Sequence, residues 1–231
     1  MNEEDIVKEA EEISRELEKE KQEIKKSKSV IWWILGPVLA LLIITMVVPY
    51  YGVRLDPEPN NIPAIDDVLP SDISLSNESY QLTSDFDYSD LVNPLDPVIK
   101  QTADKVASQS CNENKICQAK AIYYFVRDNI DYVSDPIAKE YLEEPREVLK
   151  TSASDCESGT MLLASMLESI GVNAEMVFIP GHAFLRIQLA NARNKYKQPD
   201  GWIYLDWTCN NCEFGEIPYQ NVDKYKSFVD V

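Results

Sequence analysis

Three residues of this 231-residue chain have the types and the order that acyl transfer needs: Cys156, His182 and Asp206. A thiolate can attack a carbonyl carbon, an imidazole can take and return the proton, and a carboxylate can hold the imidazole in its working tautomer. His182 is the only histidine in the chain, so no second imidazole could serve as base. Each residue alone has a plain structural reading. A cysteine at a helix start often packs, a histidine at a strand start is often structural, and an aspartate at a strand end often caps. Their order on one helix and two following strands points to a site.

The elements that must position them can be read from periodicity. Val98 to Ser108 and Ile116 to Ile130 read as helices, and Pro145 to Lys150 as a short one. Ser154 or Asp155 then caps a long helix that runs to Ile170 and ends at Gly171. Cys156 falls in its first turn, where free amides and the helix dipole favour an anion, so a lowered thiol pKa is expected. Ala174–Ile179, His182–Leu189 and Trp202–Trp207 read as strands, with a polar connection over residues 191–200. Alternation puts His182, Phe184, Arg186 and Gln188 on one face, and Trp202, Tyr204 and Asp206 on one face of the next strand.

At these residues the chain resembles the transglutaminase-like superfamily of papain-type thiol enzymes. The matching stretches are Ser154-Asp155-Cys156-Glu157-Ser158-Gly159-Thr160 with its helix and the Ile170-Gly171-Val172 turn, then Gly181-His182-Ala183-Phe184, then Gly201-Trp202 through Asp206-Trp207-Thr208. Upstream, Ile130-Asp131-Tyr132 is similar to the family's segment before the nucleophile. The resemblance covers about residues 115–210. It implies an α+β, papain-like cysteine fold, with N-terminal helices and a nucleophile helix packed on an antiparallel sheet. It implies Cys156 as nucleophile, His182 as general base, Asp206 as the orienter of His182, and no cofactor. Phe184 stands where Trp is frequent and Trp207 where Pro is frequent, departures that bear on substrate preference more than on the triad. The second oxyanion donor, beside the Cys156 amide, is not assigned.

Cys111, Cys117, Cys209 and Cys212 remain. An even remainder outside the membrane suggests two disulfides, with the local pairs Cys111–Cys117 and Cys209–Cys212 the simplest of three connectivities. A four-thiolate zinc site is the rival, since Cys209 and Cys212 have the C-x₂-C spacing.

The rest of the chain divides into blocks. Residues 30–48 carry no charge, and at 1.5 Å per residue they span about 28 Å, close to a bilayer's hydrocarbon core. Trp32, Trp33, Tyr50 and Tyr51 suit the two interfacial belts, and Gly36-Pro37 is tolerated in such spans. Lys25, Lys26 and Lys28 precede the span, so the positive-inside rule places residues 1–29 in the cytoplasm and the rest outside, as a retained anchor in the cell membrane. In the leader, Ile6, Ala10, Ile13, Leu17 and Ile24 form a narrow apolar seam; it reads either as a short coiled coil pairing two anchors or as a solvated helix. Residues 49–96 are rich in Pro, Asp and Ser and read as an extended stalk; Asn77-Glu78-Ser79 is a glycosylation sequon. Residues 97–231 make the folded domain.

With 39 acidic and 22 basic residues the net charge is −17, which excludes nucleic acid as a natural partner. The reading that follows is a single-pass membrane protein with a Cys–His–Asp domain on the outer face. It would act on peptide or side-chain amides through a thioester, released by water (a peptidase or amidase) or by an amine (a transglutaminase). The alternative is a catalytically silent module of the same fold that binds an envelope or surface protein.

Overall fold

The computed structural model describes residues 3–71, 73–75, 88–135 and 141–231; the Asn77 sequon lies outside them. The chain forms two compact units, Met1–Gly52 and Val53–Val231. The first is built on one long helix, α1 (Glu3–Leu55). Within it, Ile31–Gly52 is long and apolar enough to cross a membrane, which by length and composition suits an anchor or a signal sequence. The helix continues through Pro49, where a stalk was expected to begin.

The second unit is a mixed helix and sheet domain. A short helix α2 (Ile65–Val68) precedes α3 (Pro97–Ser110), which starts with proline at its first position and Asp96 as its cap. Asp96 accepts hydrogen bonds from the amides of Val98 (2.8 Å) and Ile99 (3.2 Å). Asn114 caps α4 (Lys115–Asn129) in the same way. Strand β1 (Asp131–Tyr132), helix α5 (Pro145–Thr151) and strand β2 (Ala153–Ser154) follow, and β1 pairs with β2 in parallel. These two-residue strands carry too little pattern to be read from sequence. Helix α6 (Cys156–Ser169) is next, and Gly171 ends it at φ 75°, a backbone that favours glycine.

Strands β3 (Ala174–Ile179), β4 (His182–Ile187) and β5 (Ile203–Leu205) follow, then helix α7 (Tyr219–Val222) and strand β6 (Ser227–Asp230). They form an antiparallel sheet in the order β5-β4-β3-β6. The outer strand β6 went unread because only one face of its four residues is even half-covered, which leaves no apolar alternation.

Helix α6 is the centre of the core. Met161, Leu162, Leu163, Met166 and Leu167 are fully buried, and the helix packs against α3, α4, α5, β3 and β4. A helix apolar on nearly every side is one that must be enclosed.

Parts of the segment read as a stalk pack on this domain. Val68, Leu91 and Val92 are buried in its core, and the amide of Asn60 donates to the carbonyl of Ser110 at 2.9 Å. Asp56 is held by Lys120 (2.7 Å), by Lys195 (2.7 Å) and by the Tyr196 hydroxyl (2.8 Å). Composition hid this, because the contacts are made by isolated side chains and by charges within a polar, proline-rich run.

Candidate active site

The sheet register brings His182 and Asp206 together. In β4 and β5, Leu185 pairs with Leu205, so the start of β4 and the residue just past β5 lie at the same end of the sheet. There His182 Nε2 is 2.9 Å from Asp206 Oδ2. The Asp206 side chain is fully buried. Its other oxygen, Oδ1, accepts the amide (3.2 Å) and hydroxyl (2.8 Å) of Thr208. The Tyr123 hydroxyl, from α4, donates to the carbonyls of Asp206 (3.2 Å) and Cys212 (3.1 Å). A buried carboxylate is stable only when it is supplied with donors, as His182 and Thr208 supply this one. His182 Nδ1 is left for a partner on the other side of the ring.

Cys156 is the first residue of α6. Its carbonyl accepts a hydrogen bond from Trp207 Nε1 at 3.4 Å, which joins the start of the helix to the residue after Asp206. The indole lies over Gly159, where an added Cβ would come within 2.1 Å of the Trp207 ring. Gly159 is therefore required for close approach and not for backbone freedom. Tyr132, at the end of β1, stands edge-on to the same indole, with ring centroids 6.4 Å apart. The pattern that could have flagged Gly159 is a glycine one turn after the cysteine inside an otherwise apolar helix. For Tyr123 no sequence signal existed, because its hydroxyl meets the carbonyls of Asp206 and Cys212, which lie more than 80 residues away in the chain.

The thiol is where expectation and structure part. Cys156 Sγ donates to Glu157 Oε2 at 2.8 Å, and among the described residues no hydrogen bond joins it to His182. Burial, then the hydrogen bond to Glu157 and that carboxylate's charge, push the thiol up to about 12; the Ala183 amide pulls the other way, and Asp155 adds a smaller push upward. This corrects the lowered pKa expected from the helix N-terminus: the dipole acts within the first turn, but so do two carboxylates. Asp155 caps the helix through the Ser158 amide (2.8 Å), and burial raises its own carboxyl to about 6.

Cys111–Cys117 and Cys209–Cys212 are at bonding distance, with Cα separations of 5.8 and 5.3 Å, and Cys156 is free. The second pair begins three residues after Asp206 and directly follows Thr208. A cavity between the starts of α3 and α5, lined by Asp90, Asn93, Asp96 and Arg146, contains none of Cys156, His182 or Asp206.

A capped helix that opens on a cysteine is packed on an antiparallel sheet whose end carries a paired histidine and aspartate. The model of the transglutaminase-like superfamily matches residues 100–207, just under half of the chain, and that stretch takes in all three residues. Among solved structures, Legionella pneumophila LapG is similar at 16% identity and a TM-score of 0.41, over 55% of this chain and 71% of that one. A Parabacteroides distasonis protein, provisionally described as a protease, is similar at 15% identity and a TM-score of 0.37, over 46% of this chain. The chain spans 22% of that second protein's length. No curated protein matches the chain.

Proposed function

We propose that residues 97–231 form a cysteine acyl-transfer domain in which Cys156 is the nucleophile, His182 the general base and Asp206 its orienter. The carrying observation is the His182 Nε2–Asp206 Oδ2 contact at 2.9 Å on a fully buried carboxylate. That contact holds the ring through Nε2 and leaves Nδ1 to act as the base. In the first step Nδ1 takes the thiol proton and Sγ attacks an amide carbonyl. The C–S bond forms, the C–N bond breaks, and the imidazolium returns the proton to the leaving amine. Water, deprotonated by the same imidazole, then releases the acid and restores the thiol; an amine in place of water would leave an amide cross-link. Water is the acceptor we favour, which makes the domain a peptidase or amidase acting on a peptide or protein. Peptide-hydrolysis and amine-incorporation assays on the wild type and Cys156→Ser test this. Activity that survives the substitution would overturn the thiol mechanism.

The second reading is a silent module that binds a surface protein, and one observation favours it: the Cys156 thiol is engaged by Glu157 and not by His182. Absence of any acyl adduct on Cys156 would favour this module over the enzyme.

The chain is proposed to sit in the cell membrane by residues 30–48, with the leader in the cytoplasm and the domain outside. The uncharged span, the lysines before it and the two cysteine pairs, which suit an oxidising compartment, support this. Pairing of two anchors through the seam of Ile13 and Leu17 remains part of the proposal.

A further inference from the structure

Glu157 follows the nucleophile directly, and its carboxylate is the acceptor of the Cys156 thiol proton. Two geometric facts give the contact weight. Its Oε2 lies 2.8 Å from Sγ, while the imidazole, tied to Asp206 through Nε2, makes no hydrogen bond to that sulfur. The carboxylate also lies on the outer side of the first turn of α6, half-exposed, whereas Cys156 is buried. The charged and titratable groups to consider around the thiol are Glu157 on α6, Asp155 at its cap, Tyr132 on β1, Asp135 after it, and His182 on β4 with Asp206 behind it. Only one of these, His182, could draw the proton toward catalysis. The carboxylates oppose a second negative charge at the sulfur.

We propose that Glu157 is a positioning residue that holds the Cys156 thiol in a resting, protonated state, so that the thiol must leave this carboxylate before His182 can activate it. The inference rests on Cys156 being the nucleophile. The reactive state then needs a turn of the cysteine side chain from Glu157 Oε2 to His182 Nδ1, with the proton passing from sulfur to nitrogen. An occupant of the site that engages the Glu157 carboxylate would favour that turn. In its absence the buried thiol is protected from oxidation, since the thiolate is the oxidisable form.

The test is the pH dependence of iodoacetamide alkylation at Cys156, measured by peptide mass spectrometry on the full chain in detergent. Glu157→Gln keeps the size and removes the charge. Its alkylation rate at pH 8 should rise at least about tenfold, with the midpoint of the profile moving to lower pH by a unit or more. Glu157→Asp shortens the reach by one methylene and should shift the profile in the same direction, by less. The two variants should keep the wild-type circular dichroism; if Glu157→Gln fails to fold, Glu157→Asp decides. The shift should persist in a His182→Ala background, because it arises from the carboxylate and not from the base. Superimposable profiles for wild type and variant would overturn the proposal. A shifted profile in a protein that turns over no amide would uphold the resting contact while removing the enzymatic reading.

Discussion

At the residue scale the three candidate groups should fail by different amounts. Cys156→Ser should abolish turnover, since a hydroxyl is a far weaker nucleophile than a thiolate. His182→Ala should do nearly the same, because the chain holds no second imidazole. Asp206→Asn should cost less, roughly 10²–10⁴-fold in kcat, by loosening the ring while the attacking pair remains. Steady-state kinetics on folded variants check the order. The approach of His182 to Asp206 was legible in the sequence, because the two following strands alternate cleanly enough to put both on one face of a sheet. The state of the thiol was not legible. A helix start argues for a lowered pKa, and only the fold shows that Glu157 and burial outweigh it.

Two carboxyls make stability depend on pH in opposite directions. Asp155 is raised from 3.8 to about 6, so its contribution is fully present below about pH 4 and is lost as the pH rises through 6. At about 1.4 kcal/mol per unit, this loss is bounded by roughly 3 kcal/mol. Asp56 behaves the other way: burial works against its charge, but hydrogen bonds from Lys120, Lys195 and Tyr196 hold its carboxyl well below the usual range. Its contribution is present above about pH 4 and falls away as the pH drops below that. From these two groups, thermal unfolding should therefore show greatest stability near pH 4, with a decline from there to about pH 6. Asp155→Asn, which keeps an acceptor for the Ser158 amide, should flatten the alkaline side only.

At the scale of elements, the contact between Trp207 and Gly159 seats the start of α6 against the end of the sheet. Gly159→Ala would drive a methyl into the indole and should destabilise the domain by about 1–3 kcal/mol through overpacking. It should also lower activity, because Cys156 and Asp206 are joined through this contact, and denaturant titration beside kinetics would show both. The helices α3 to α6 and strands β3 to β5 were readable to within a few residues, since their caps, apolar faces and Gly171 all agree. What escaped was made of pieces too short or too polar to carry a period: β1, β2, β6 and the packed parts of the proline-rich run.

At the scale of the whole molecule, that run sets where the domain can be cut. Lys120 is fully buried and relies on Asp56 and Glu58 for its countercharge. A fragment beginning at residue 97 leaves that ammonium buried with Tyr196 as its remaining partner, and loses Val68, Leu91 and Val92 from the core. It should melt well below a fragment beginning at residue 53, by more than about 3 kcal/mol of stability. Equal melting temperatures would show that the run is dispensable. Topology is tested on cells: protease added outside should degrade the domain and spare the leader, and a protected domain would contradict the outward placement.

The measurement closest to the central claim is a search for the acyl-enzyme itself. The full chain in detergent is mixed with p-nitrophenyl acetate, quenched in acid and mapped by mass spectrometry. A thiol mechanism predicts a burst of p-nitrophenol of at most one equivalent and a hydroxylamine-labile acetyl group on Cys156, absent from Cys156→Ser and formed far more slowly in His182→Ala. An unmodified Cys156 in the folded protein, or an adduct that forms equally fast without His182, would contradict it.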